Sequence, residues 1–232
     1  MKTNFSKDEY SFLASLGLAF DEIPSFLVAP EVGLIQLLNR DEFIGNYLYG
    51  MLKLFLKHYH QYLRIDLLIL LEKKLTPIGS ATLSALASYC LKELKDKRFK
   101  KIKKHKLVKP IFLNTQEYVD LRGAEPYLSF QGIIVRAISV QDEKKMKSLE
   151  WPLKNNIWFK NRLIFGLGVR ADAFTVLQTN QVKTYYELSK IISSSLYSAR
   201  KNFLDFMKIK QVDSVFFSHY SSLKIDNDHF KK

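Results

Sequence analysis

The sequence predicts a mainly α-helical protein in two parts, a helical region over residues 1–145 and a smaller domain over residues 155–232. Three observations carry that prediction. Glycine and proline are sparse, nine and six in 232 residues, so few positions interrupt a helix. Apolar residues recur at spacings of three and four through most of the chain. Helix-start chemistry, a hydroxyl or a proline at the right place, precedes several of these runs. A composition 47% hydrophobic and 13% aromatic supplies a buried core and excludes a disordered chain.

The elements follow in order. Residues Phe5–Phe20 read as a short amphipathic helix opening at Ser6, whose hydroxyl caps it while Asp8 and Glu9 suit its positive end. The prolines of "IPSFLVAP" make a connector, and Pro30 opens a second helix through Leu38. The stretch from Arg40 to Lys74 is the dominant helical signal of the first half, with Phe43, Tyr47, Met51, Phe55, Tyr62 and Ile65 near a 3.6-residue period. Its second part is apolar on nearly all sides, as expected of a central helix. There Asp66 is expected at an outward helix edge. Pro77 starts the next helix, with Leu83, Leu86, Ala87, Cys90, Leu91 and Leu94 on one face.

Lys92–Lys106 carries nine basic and two acidic residues and reads as an exposed helix end or loop with Phe99 and Ile102 as apolar members. Leu107–Asn114 suits a short strand or an extended segment, and "TQEYVDLRG" a capped helical turn closed by Gly123. Tyr127–Val140 fits either strand or buried helix. Gln141–Asn156 is polar and contains Pro152, which places the domain boundary there.

Charge narrows the function. The chain holds 36 basic and 23 acidic residues, net +13. Residues 1–91 are near neutral at −1, whereas 92–150 and 151–232 each carry +7. A chain basic only in its later two thirds points to a polyanionic partner. Within the first basic run, Lys97, Arg98, Lys100, Lys101, Lys103 and Lys104 are candidate phosphate contacts.

Other chemistries find little support. One cysteine, Cys90, permits neither an intramolecular disulfide nor a cysteine metal cluster, and its apolar helical face marks it as core. His58 and His60 lie about 200° apart on a helix and cannot share a metal. Gly166 and Gly168 form a lone G-x-G that reads as a turn before a helix, not a nucleotide loop. No catalytic motif, cofactor or metal site is expected. The N-terminus lacks a signal-peptide core and the longest uncharged run, Leu75–Leu91, is poorly suited to span a bilayer, so no membrane association and a cytoplasmic location are expected.

The C-terminal region carries the most specific pattern. After Gly168 the sequence is helical, with Ala171, Phe174 and Leu177 on one face and Val176 beside them. Thr184 and Glu187 form a T-x-x-E capping box, in which Thr184 accepts from the amide three residues on and Glu187 returns to the cap amide. Leu188, Ile191 and Ile192 supply an apolar face before three serines, and Ser195 is placed to cap a second helix. On that helix Ala199, Phe203 and Phe206 are expected inward, opposite Tyr197, Ser198, Arg200, Lys201 and Asp205.

These residues resemble the helix-turn-helix of winged-helix transcription regulators, whose pattern runs Glu-Leu-Ala-x-x-hydrophobic-Gly-x-Ser-x-x-x-Val-x-x-x-Leu-x-x-Leu and then Gly-Leu-Val. Glu187, Leu188, Ser189, Ile192, Ser195, Ala199, Phe203 and Phe206 match without a gap, and Val212 would start the following strand. Ser193 and Lys210 stand where the family commonly has glycine. The similarity spans about Arg162–Ile225, with residues 212–225 resembling the wing hairpin.

The resemblance implies a DNA-binding transcription regulator acting on double-stranded DNA, paired as a homodimer across two half-sites in the manner of such regulators. Its recognition helix would run over about Leu196–Lys208. Tyr197, Ser198, Arg200 and Lys201, with Ser195 at its start, would meet bases and phosphates in the major groove, and Lys183, Lys190, Lys208 and Lys210 would meet the backbone. The helices of residues 1–145 would supply dimerisation or sense a protein partner or effector. Two alternatives stay open: a protein-binding, antitoxin-like module, and a nucleic-acid-processing enzyme whose acidic residues converge beneath the 92–106 run.

Overall fold

The computed structural model describes residues 6–18, 28–40, 46–114, 116–137, 154–178 and 182–212. The expected connector around Pro24, the boundary segment 141–153 and the wing residues 213–225 lie outside them. The described residues are mainly helical, with a small two-stranded parallel sheet. They fall into two compact units, and the N-terminal helix groups with the C-terminal helices.

The larger unit holds α2 (Pro30–Leu38), α3 (Asn46–Tyr59), α4 (Ile65–Glu72), α5 (Pro77–Lys92), α6 (Gln116–Arg122) and α7 (Pro126–Phe130), with strands β1 (Ile111–Phe112) and β2 (Ile133–Ile134). Pro30 and Pro77 each stand at the first position of their helix, where a missing N–H costs nothing. Thr76 caps α5 by accepting from the Gly79 amide at 3.0 Å.

The expected single helix over residues 40–74 is corrected. It ends at Tyr59, passes through a 3-10 turn at His60–Tyr62, and resumes as α4 after an extended Arg64. The break is held by distant groups. The Arg64 amide donates to the buried Glu31 carboxylate at 2.6 Å, and the Arg98 guanidinium donates to the carbonyls of His60, Leu63 and Gln61 at 2.9, 3.3 and 3.4 Å. Backbone groups released from the helical ladder are thus satisfied inside the fold.

The central helix is also reassigned. Helix α4 exposes Leu70, whereas α5 is buried on every side from Gly79 to Ala87. Small residues permit that: Gly79, Ser80, Ala81, Ser84 and Ala85 let neighbours approach closely. At Gly79 a Cβ would lie 2.5 Å from the Leu38 carbonyl oxygen, so the end of α2 could not rest there against any larger residue. Leu83, Leu86, Ala87 and Cys90 are buried as their spacing predicts, while Leu91 and Leu94 are half-buried. Burial pushes the Cys90 thiol up, consistent with an inert core residue.

The ambiguous stretch after Tyr127 proves to be both, a short helix and then a strand. Ile111 pairs with Ile133 and Phe112 with Ile134 in parallel, with α6 and α7 in the crossover and one antiparallel bridge between Ala124 and Arg136. Gly123 follows α6 with a φ of 75°, the left-handed conformation its position calls for.

The second unit contains α1 (Lys7–Ser15), α8 (Ile157–Phe165), α9 (Val169–Gln178), α10 (Tyr185–Ile191) and α11 (Leu196–Val212). Ser6 and Glu9 make a reciprocal capping box at α1, with bonds of 3.3 and 2.7 Å. Asn156 caps α8 and also donates to the Ser15 carbonyl, tying the end of α1 to the start of the C-terminal helices. Helix α9 is buried throughout Ala171–Gln178. Phe165, Phe174 and Phe206 join α8, α9 and α11 in one aromatic cluster, with ring centroids 4.6, 4.9 and 6.1 Å apart. Among the described residues, no helix is long and apolar enough to cross a membrane.

Candidate nucleic-acid interface

The candidate surface is built by α10, α11 and the turn between them. Thr184 caps α10 by accepting from the Glu187 amide at 3.2 Å, as its sequence position predicts. The return bond differs: the Glu187 carboxylate accepts from the Lys183 amide at 3.0 Å, one residue before the cap. Leu188, Ile191 and Ile192 are buried.

The turn has a defined hydrogen-bond pattern. The Ser193 amide donates to the Lys190 carbonyl at 3.3 Å and the Ser194 amide to the Ser189 carbonyl at 3.0 Å, the paired bonds of a Schellman motif. Such a motif needs a left-handed residue, and Ser193 supplies it with a φ of 49°. Serine therefore occupies a conformation that glycine adopts without strain. Ser195 then caps α11 by accepting from the Ser198 amide at 3.2 Å.

Helix α11 buries Ala199, Asn202 and Phe206. Phe203, expected inward, is only half-buried and packs edge-on to Tyr185 at 6.4 Å. Its place on the buried face is taken by Asn202, whose side-chain amide stays satisfied by donating to the Ser198 carbonyl at 2.9 Å. The helix also runs to Val212, so the strand expected to start at Val212 is corrected, and Lys210 falls in the last helical turn. A helical Lys208–Val212 has no residue that breaks a helix, which explains the extension.

The outward side collects the expected polar residues. Tyr197 is 80% exposed, Ser198 is partly covered, and Arg200 and Lys201 are both exposed. The Arg200 guanidinium lies 5.9 Å from the Tyr185 ring centroid and Lys190 Nζ 4.4 Å from that of Tyr186, so two cations of this surface rest on aromatic faces of α10. Lys183 and Lys208 are exposed as well. Ser195 is committed to its cap, which makes it a positioning residue.

Beneath this surface lies a feature that periodicity did not reveal. Arg162 on α8 and Asp172 on α9 have fully buried side chains and meet in a bidentate pair at 2.8 and 3.1 Å. Next to it Asn161 donates to Thr175 and Gln178 at 2.9 and 2.8 Å. An R-x9-D spacing across a glycine turn is the signal that was there to find.

In the other unit, the lysine run forms a 3-10 turn at Lys97–Lys101, capped by Asp96 and anchored by buried Phe99 and Ile102. Lys97, Lys100, Lys101, Lys103 and Lys104 are exposed, as a phosphate-facing segment requires. Arg98 is not free for that role, because its guanidinium is shared between Asp96 at 2.7 Å and the carbonyls of the helix break. Burial works against a charged Asp96, but the hydrogen bonds and charge of Arg98 outweigh it and hold the carboxyl below its ordinary range. Asp66 behaves alike: it faces outward, and its pairing with Arg64 overcomes partial burial to lower its pKa.

The acidic residues near this run have separate partners. Glu93 accepts from the Tyr127 hydroxyl, and Glu72 lies 3.0 Å from His105 Nε2. Elsewhere in the unit Lys53 pairs with the buried Glu125 at 3.1 Å, beside a Tyr49 hydroxyl that has no hydrogen-bond partner among the described residues. Burial, and secondly the Glu125 charge, push the Tyr49 hydroxyl up. His60 Nδ1, in the turn after α3, lies 2.9 Å from the Leu56 carbonyl oxygen of that helix, which occupies it. Gly166 terminates α8 with a φ of 79°, so the G-x-G is a helix-ending turn. Among the described residues, no group of three or more His, Cys, Asp or Glu side chains is placed to hold a metal ion.

No protein-family model matches the chain, and no curated protein or solved structure matches it.

Proposed function

We propose that the protein is a double-stranded-DNA-binding transcription regulator that reads sequence with α11 of a C-terminal winged helix. The observation that carries this reading is the orientation of α11. Ala199, Asn202 and Phe206 face the interior, which leaves Tyr197, Arg200 and Lys201 on the solvent side. A helix so presented fits the major groove, where arginine bridges guanine and hydroxyls reach bases or phosphates. The rigid turn at Ser193–Ser195 fixes α10 against α11, and lysines 183, 190 and 208 flank the helix with charge for the backbone. The net +7 of residues 151–232 adds long-range attraction. A homodimer would place two such helices on half-sites about one DNA turn apart.

A second reading, a winged helix used for protein contacts, is favoured by one specific observation. Leu196, Tyr197 and Leu204 are exposed on the same helix, and an apolar stripe of that kind also suits a protein groove. One experiment separates them. Purified full-length protein is used to select genomic DNA fragments, which are then sequenced. DNA reading predicts recovery of a shared motif with salt-dependent affinity, whereas the protein-contact reading predicts no enrichment over input.

A further inference from the structure

The lysine segment of the larger unit has a companion that α11 does not explain. Phe99 and Ile102 are buried and Arg98 is tied to carbonyl oxygens, so the segment is held in place while Lys97, Lys100, Lys101, Lys103 and Lys104 point to solvent. Among the described residues, these five have no ion-pair partner. The two acids within the run are engaged elsewhere, Asp96 by Arg98 and Glu93 by Tyr127. Fixed, uncompensated like charges repel one another and gain most from a polyanion. The segment then continues to an exposed aromatic ring. Phe130, at the end of α7, is 69% exposed, and Lys106 Nζ lies 5.7 Å from its ring centroid. A backbone bond of 2.9 Å from Leu107 to the Gln131 carbonyl holds Lys106, at the end of the segment, beside that ring.

We propose that the segment 97–106 and Phe130 form a second nucleic-acid surface, one that takes a single strand, with the lysines along the phosphates and Phe130 stacked on a base. Bases in an intact duplex are stacked on each other and closed to such a ring, whereas an unpaired strand offers a face to it. An anionic membrane would also attract the lysines and take the ring at its interface, so it is the alternative outcome of the test below. The inference stands apart from the reading of α11, because its residues belong to the other unit.

The test uses full-length protein and a fluorescent oligothymidylate, with anisotropy measured over a series of salt concentrations. Phe130→Ala is expected to weaken binding about tenfold at unchanged salt slope, and Phe130→Trp to restore it. Converting Lys100, Lys101, Lys103 and Lys104 together to Gln is expected to flatten the slope by about 0.7 per lost phosphate contact. Circular dichroism melts of each variant check that it folds like wild type. Arg200→Ala with Lys201→Ala is expected to keep oligothymidylate affinity, whether or not α11 reads a duplex. The proposal is overturned if the Phe130→Ala variant or the lysine variant binds like wild type, or if the Arg200/Lys201 variant loses the single strand. Binding to phosphatidylserine vesicles without binding to the oligonucleotide would overturn it in favour of a membrane surface.

Discussion

Residues 97–104 and helix α11 are both basic and both exposed, yet the fold presents them by opposite means. In the first, two apolar anchors and one arginine bonded to backbone carbonyls hold a short 3-10 turn, and every exposed residue is a lysine. In the second, a full helix is set by a buried face, and its outward side mixes tyrosine, serine, arginine and lysine. Lysines on a short turn suit phosphate neutralisation, whereas arginine, lysine and hydroxyls on a helix that enters the groove can discriminate bases. The arginines make the contrast sharpest. Arg98 serves backbone carbonyls, Arg162 serves a buried aspartate, and Arg200 is displayed over a tyrosine ring. A basic residue in the sequence is therefore a candidate contact only after the fold has taken what it uses.

The contrast can be broken most forcefully at its foundations. Phe206→Ala removes the ring that joins α8, α9 and α11 and is expected to cost about 4 kcal/mol in the C-terminal unit. A variant that unfolds in denaturant like wild type would place Phe206 outside the core. Next comes Arg162→Ala, which takes the guanidinium away from the buried Asp172 carboxylate at a cost of about 3 kcal/mol. Replacing both residues by apolar ones of similar size should recover most of that loss; if it does not, the pair does more than balance charge.

In the larger unit, Arg98→Ala strips donors from the helix break and is expected to cost about 2 kcal/mol, read as a shifted denaturant midpoint. It also changes the pH dependence. Asp96 has its folded pKa below the ordinary 3.8, so its contribution is present above pH about 4 and is lost as pH falls through the folded value. Without Arg98 the stability decline below pH about 4 should be shallower. An unchanged acid limb would mean that Arg98 does not hold Asp96 charged. The smallest effect has the opposite sign: Ser193→Gly relieves a left-handed serine and is expected to stabilise the C-terminal unit by about 1 kcal/mol in the same assay. A destabilised variant would show that the serine's own contacts matter more than its backbone.

What was legible in the sequence was chiefly local chemistry. Ser6, Thr184 and Ser195 mark helix starts through bonds that reach no more than three residues, and Pro30 and Pro77 through a ring that needs no donor there, so their positions could be read directly. The helix break at residues 60–64 was not legible, because Glu31 and Arg98 hold it from more than 30 residues away. Nor was the central place of α5, whose small polar residues look like a surface pattern until close approach is considered. At the candidate site, the turn and the outward Arg200 and Lys201 were readable from spacing. The inward choice of Asn202 over Phe203 was not, since it depends on how Tyr185 of α10 covers the helix flank. The link from Ser15 of α1 to Asn156 bridges a sequence separation of 141 residues and has no local signature at all.

The central claim is that α11 turns its aromatic Phe206 inward and its cations toward a duplex. Arg200→Ala with Lys201→Ala tests it most directly, through affinity for the DNA fragments that wild type selects, measured beside thermal stability. The account predicts loss of specific binding with stability within about 0.5 kcal/mol of wild type, because both side chains are exposed. Undiminished affinity in a folded double variant would contradict it.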